Sequence, residues 1–369
     1  MDFGFSDEHE ELRRTIRQFL AAESGEQAVR AAMATERGHD PKLWQRMAQE
    51  LGLAGLVVPE SYGGAGMGPI EALIAFEEMG RALACAPALA SHFAASVILS
   101  VAGEADREAL LPGIAAGTSI ATVAHVDAAG RWDLSDVSNE ARREGTGWRL
   151  DGDWRYVLEG HVADRLLLVA RVPDGLGLFL VEGETAGLTR KALPGLDLTR
   201  RLADLHCSGV AAKRIGEGDA RSGLERALLL TIAALVAEQT GGAARCLEIA
   251  TDYAKTRYQF GRPIGSFQAI KHHCADLLVS VELMKSAAYQ ASFVAATGEG
   301  DLETAVRQAK SYCSEAYFAV AAENIQIHGG MGFTWEHPAH LYLKRAKSSE
   351  VLFGSPAQHR ERIGERLGL

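Results

Sequence analysis

Two stretches of this chain carry residues suited to holding a phosphate-rich ligand. The first is Thr256-Arg257-Tyr258-Gln259-Phe260-Gly261-Arg262-Pro263-Ile264-Gly265-Ser266-Phe267-Gln268, which lies between two long helical patterns. The second is Gln326-Ile327-His328-Gly329-Gly330-Met331-Gly332-Phe333, at the end of a third. An arginine that closes a helix offers a guanidinium for bidentate phosphate contact, and glycines at a helix end let the main chain approach a bulky ligand. A third stretch, Val351-Leu352-Phe353-Gly354-Ser355-Pro356-Ala357-Gln358, breaks from apolar to small residues. Its local reading is structural: Gly354 suits a helix C-cap, and Ser355 an N-cap with Pro356 in the first turn. A fourth, Pro59-Glu60-Ser61-Tyr62-Gly63-Gly64-Ala65-Gly66, is glycine-rich, but no strand leads into it as a dinucleotide-binding turn requires.

The elements that must position these residues follow from periodicity. From Ser6 to about Gly117 the pattern is helical, opening on Ser6 with Glu8, Glu10 and Glu11 as an acidic first turn. After Gly117, residues 120–126, 148–158, 165–172, 176–181 and 202–210 are short, rich in Val, Leu and aromatics, and divided by turn residues, which reads as an antiparallel β-module. From about Ser222 the helical period returns over 224–256, 266–297, 302–327 and 338–352, with a short last helix from Ala357. Long helices without internal proline pack side by side in bundles. The expected fold is therefore an α+β multidomain chain: a helical domain over 1–118, a β-barrel or sandwich over 119–220, and a helical bundle over 221–369.

Composition narrows the function classes. The chain has 369 residues, 47% of them hydrophobic, enough for two or three cooperating domains. A formal charge of −10 argues against a nucleic-acid partner, which needs a basic footprint. The opening residues have neither a basic nor an apolar leader pattern, and no uninterrupted apolar run approaches membrane-spanning length, so a cytoplasmic protein with no membrane partner is expected. The cysteines Cys85, Cys207, Cys246, Cys274 and Cys313 are scattered and fit core positions. No metal site is expected: there is no HExxH pattern, and His272 and His273 are helix neighbours that point apart.

Taken together, the Arg257 to Gln268 and Gln326 to Gly330 motifs, the Pro59 to Gly66 loop and the α-then-β-then-α order closely resemble the acyl-CoA dehydrogenase family of flavoproteins, over essentially the whole chain. The resemblance implies an N-terminal helical domain, a middle β-domain and a C-terminal four-helix bundle, assembled as dimers or tetramers. It implies FAD as cofactor, an acyl-CoA thioester as substrate and an electron-transfer flavoprotein as acceptor. It also implies that Arg257, Phe260, Gln268, Gln326, Gly329 and Gly330 contact the ADP half of an FAD held mainly by a neighbouring subunit, with Ser355 and Gln358 bordering the cofactor.

The chain departs from that family where the chemistry is done. The reaction removes an α-proton and a β-hydride to give a trans-2-enoyl-CoA, and a glutamate in a dry site takes the proton. One family position for that glutamate falls on Phe353 and the other on Thr231, and neither residue can act as a base. Glu238 lies seven residues after Thr231 on nearly the same helix face, but about 10 Å along the axis. The stretch that lines the flavin in relatives reads His125-Val126-Asp127-Ala128-Ala129-Gly130-Arg131-Trp132-Asp133 here, and Tyr156-Val157-Leu158 replaces a strand that usually offers Trp and Thr. Three readings follow. The chain is a component whose base comes from a partner paralogue, as in bacterial α2β2 members; or a self-sufficient homo-oligomer using Glu238; or a non-catalytic subunit of the same fold that binds FAD or a partner.

Overall fold

The computed structural model describes residues 4–369. The N-terminal region is helical: α1 (Asp7–Glu23), α2 (Glu26–Met33), α3 (Pro41–Leu51), α4 (Pro69–Arg81), α5 (Ala88–Val101) and α6 (Glu104–Ala115). Ser6 caps α1 as its sequence signalled: its Oγ accepts from His9 N at 3.3 Å, while His9 Nδ1 accepts from Ser6 N at 3.2 Å. Strands follow as β1 (Ala121–Ala124), β2 (Glu140–Glu144), β3 (Gly147–Leu158), β4 (Arg165–Val172), β5 (Gly175–Glu182), β6 (Leu188–Ala192) and β7 (Leu202–Ile215). The chain then runs through α7 (Arg221–Thr256), the two-residue strands β8 (Tyr258–Gln259) and β9 (Arg262–Pro263), α8 (Gln268–Thr297), α9 (Leu302–His328), α10 (Ala339–Val351) and α11 (Pro356–Arg366).

Contacts group these elements into two compact units that interleave in sequence. One holds the chain up to Arg30, Pro69–Ala84 and Ile232–Leu369; the other holds Ala31–Gly68 and Cys85–Thr231, so the division falls inside α7.

The second unit is built on a mixed sheet. Antiparallel pairings join β2 to β3, β3 to β7, β7 to β5 and β5 to β4, with β6 added to β7. The wholly antiparallel module expected from the sequence is corrected here, because β1 and β2 both pair with β4 in parallel. The signal was the buried run Leu166-Leu167-Leu168-Val169-Ala170 in β4, which does not alternate and so marks a strand covered on both faces. Strands β2 (EARRE) and β6 (LTRKA) lack an apolar alternation because they are short, charged and mostly exposed. The core gathers around Trp154, Leu150, Leu168, Phe179, Leu205 and Val210. Trp154 is fully buried, and its indole Nε1 donates to Val169 O at 3.0 Å, so its one polar atom is satisfied.

In the first unit α9 is central, packed against α8, α10 and α11. Helices α4 and α7 cross with their backbones almost touching. A Cβ on Gly80 would lie 2.0 Å from Glu238 O, and one on Gly241 would lie 1.8 Å from Glu77 O. Helix α1 is clamped to α4 by ion pairs: Arg13 reaches buried Glu77 at 2.6 Å, and Arg17 reaches buried Glu78 at 2.6 Å. Helix α7 is long and apolar enough to cross a membrane by length and composition, although no uninterrupted apolar run flagged it. Most of that stretch is buried inside the protein, as in a core helix.

Candidate functional site

The Arg257 to Gln268 stretch forms a hairpin between α7 and α8. Gln259 pairs with Arg262, which leaves Phe260 and Gly261 as a two-residue turn with φ of 55° and 77°. Positive φ at both central positions belongs to the type I′ turn that matches strand twist. Glycine accepts it readily, whereas a Phe there costs on the order of 1 kcal/mol. Phe260 is nonetheless held there 89% exposed, an arrangement that folding alone does not favour. Phe267 meets Phe260 edge-on at 6.1 Å, and the Arg262 guanidinium lies 4.1 Å from the Phe267 ring centroid. Arg257 and Gln268 are both exposed, and Gln268 Nε2 lies 2.9 Å from His272 Nε2.

The Gln326 to Gly330 stretch closes α9, and the structure brings it to the hairpin's base. Tyr253, whose carbonyl accepts from Arg257 N at 2.8 Å, stacks on His328 with ring centroids 4.2 Å apart. His328 Nδ1 lies 2.7 Å from Asn324 O, so the carbonyl fixes Nδ1 as the donor. Gln326 is exposed, and a Cβ on Gly329 or Gly330 would meet nothing within 4 Å. The Tyr253–His328 stack links the end of α9 to the hairpin, and the exposed Arg257, Gln268 and Gln326 with the open main chain at Gly329 and Gly330 are donor types suited to a diphosphate. Phe333 and Trp335 project beside it, 83% and 63% exposed.

Ser355 and Gln358 are engaged with each other. Ser355 N donates to Gln358 Oε1 at 2.8 Å and Gln358 N to Ser355 Oγ at 3.4 Å, a capping box that starts α11 with Pro356 in its first turn. Gly354 is not the C-cap of α10. Leu352 leaves that helix in an extended conformation, and Phe353 then takes φ of 61° before Gly354 at 106°.

Two buried bases hold the Phe353 loop. Lys310, fully buried, donates from Nζ to Ser349 O at 2.8 Å, Glu350 O at 2.9 Å and Ser314 Oγ at 2.9 Å, capping the carbonyl end of α10. His359 Nε2 lies 3.2 Å from Phe353 O and must carry the hydrogen, since a carbonyl only accepts. Burial, with Lys310 and Arg307 nearby, lowers the His359 pKa to about 3, so the ring is neutral. Phe353 itself is 6% exposed.

The other two base positions are also structural in form. Thr231 is fully buried and donates to Ala227 O at 2.8 Å, along its own helix. Glu238 lies 2.7 Å from Arg345 Nη1, and both side chains are buried.

In the second unit, the stretch that has drifted is filled with aromatic rings. His125 sits between Phe93 and Trp132, each with ring centroids 5.9 Å away, and Trp132 stacks on Tyr156 at 5.9 Å and 22°. Tyr156 lies in a register shift of β3 with φ of 55°. Burial lowers the His125 pKa to about 4. Asp127 is spent on Arg131 at 2.6 Å and on Ser138 Oγ at 2.8 Å, while Leu158 offers only its carbonyl, which accepts from Thr122 Oγ1 at 2.6 Å.

Helices on either side of a β-rich middle, with an exposed arginine and two exposed amides on the C-terminal helices, fit a flavoprotein oxidoreductase of the acyl-CoA dehydrogenase kind. The chain belongs to the acyl-CoA dehydrogenase family: its residues 6–118 match the model for the acyl-CoA dehydrogenase N-terminal domain, and residues 224–368 match that for the C-terminal domain. It is 35% identical over 358 residues to acyl-CoA dehydrogenase IpdE2 of Mycolicibacterium smegmatis, covering 97% of this chain and 98% of that one. Among solved structures it resembles a variant of the Tcur3481–Tcur3483 steroid ACAD, at a TM-score of 0.88 and 31% identity over 98% of both chains. It also resembles the ChsE4–ChsE5 complex from Mycobacterium tuberculosis, at a TM-score of 0.91 and 28% identity, covering 100% of this chain and 99% of that one. The chain is thus an FAD-dependent acyl-CoA dehydrogenase by family.

Proposed function

We propose that this chain is one component of an acyl-CoA dehydrogenase that forms the trans-2-enoyl-CoA thioester, and that a paralogous partner subunit supplies the base that removes the α-proton. The observation that carries this reading is the pair of occupied base positions: a buried Phe353 in one, and a buried Thr231 bonded to its own helix in the other. The ion pair with Arg345 further favours it over Glu238 as base, because a proton-accepting carboxylate must be free to meet the substrate.

Arg257, Gln268, Gln326 and the main chain at Gly329 and Gly330 hold the ADP half of FAD by charge-assisted and amide hydrogen bonds, and Phe260 packs against it. Ser355 and Gln358 border the cofactor through the turn they cap. Bound FAD supplies the acceptor for the β-hydride. Phe353 keeps water and acid out of its part of the acyl pocket, and Lys310 and His359 fix the loop that bears it. The three-domain division at 118 and 220 organises the assembly.

The solved structure named a steroid ACAD, 31% identical to this chain, supports a bulky, steroid-side-chain type of acyl-CoA as substrate; an electron-transfer flavoprotein as acceptor and a cytoplasmic setting complete the proposal. The test is the flavin content of the chain purified alone and with a coexpressed paralogue. A colourless chain that gains FAD only with the partner bears the reading out. A yellow, active homo-oligomer overturns it.

A further inference from the structure

The first unit contains a cavity that none of the candidate FAD-binding or base residues lines. It has a volume of about 420 Å³ and is bordered by α1, α2, α4, α7 and the start of α10. That is a size at which small organic ligands are bound. Its lining includes the apolar Leu20, Val29, Leu83, Ile249 and Leu341. It also includes three arginines, Arg17, Arg81 and Arg245, with two carboxylates, Glu26 and Glu78.

The arginines are oriented but not exhausted. Arg17 uses Nε and Nη2 on Glu78, at 2.8 and 2.6 Å. Arg81 grips Glu248 with both terminal nitrogens, and Arg245 Nη1 shares that carboxylate at 3.0 Å. Three guanidiniums thus rest on two carboxylates, Glu78 and Glu248, while each has five N–H donors. The Tyr342 hydroxyl donates to Arg81 O at 2.7 Å and bonds Arg245 as well, which stiffens this wall. Preset guanidiniums and apolar side chains in one cavity lining match a ligand with one acidic group and a hydrocarbon body.

We propose that this cavity binds a small amphipathic carboxylate, its acid against Arg81 and Arg245 and its hydrocarbon against Leu20, Leu83, Ile249 and Leu341. The site would let a free acid, rather than its thioester, report to the protein from outside the candidate FAD-binding residues. Calorimetric titration of the full chain with sodium decanoate tests it, with decyltrimethylammonium as the opposite-charge probe. One equivalent of decanoate should bind saturably. Ile249→Trp, which fills the cavity, and Ala21→Phe, which blocks it from the surface of α1, should each weaken binding at least about ten-fold, a loss read directly in Kd. The proposal is overturned if decanoate shows no saturable binding, if the cation binds as tightly, or if either filling variant, folded by circular dichroism, binds decanoate as the natural chain does.

Discussion

At the scale of single residues, the decisive contrast is between Glu238 and Phe260. Glu238 lies seven residues after one family base position, on nearly the same helix face, but its carboxylate is committed to Arg345 at 2.7 Å with both groups buried. Glu238→Gln should therefore act on stability: stranding a buried guanidinium costs about 3–5 kcal/mol, visible in chemical denaturation. Turnover per folded, partnered enzyme should stay near normal, and a selective collapse of turnover without loss of stability would make Glu238 the base after all. Phe260 behaves oppositely, since it is 89% exposed at a φ of 55°. Phe260→Gly should leave stability unchanged or raise it by up to about 1 kcal/mol, because glycine accepts the turn without strain. The same variant should retain less FAD on gel filtration of the partnered enzyme.

At the scale of elements, the α4–α7 crossing is the tightest joint in the first unit. Gly80→Ala drives a methyl to 2.0 Å from Glu238 O, and backbone cannot yield as a side chain can, so a loss of about 3 kcal/mol or more is expected in thermal denaturation. Gly364→Ala in α11 meets nothing within 4 Å and should instead gain about 0.5–1 kcal/mol from helix propensity. Most elements were legible in the sequence. Ser6 and Ser355 announced their caps, and the long C-terminal helical periods matched α7, α8 and α9. What could not be read were partners distant along the chain. Strands β2 and β6 expose charged residues, the parallel pairing of β1 with β4 depends on non-local register, and Arg345 lies 107 residues from Glu238. The cavity arginines belong to three different helices, and no local pattern links them.

At the scale of the whole molecule, buried neutral histidines make stability fall in acid. Burial lowers His92 and His125 to about 4, and burial with nearby Lys310 and Arg307 lowers His359 to about 3, from an ordinary value of 6.5. Unfolding frees these rings to bind protons below pH 6.5, so the unfolded state binds more protons and stability falls as pH drops from 6.5 toward 3. Each group contributes up to about 1.4 kcal/mol per pH unit across that window. Denaturation midpoints measured from pH 7 to 4 should fall steadily, and His359→Gln should flatten the slope.

The central claim, that this chain lacks its own base, is tested most directly by α-proton exchange of an acyl-CoA in deuterium oxide, which needs proton removal but no completed turnover. The chain alone should leave the α-hydrogens in place, and addition of the partner paralogue should wash deuterium into them. Exchange catalysed by the chain alone would contradict the account, and its loss in Glu238→Gln would make Glu238 the base.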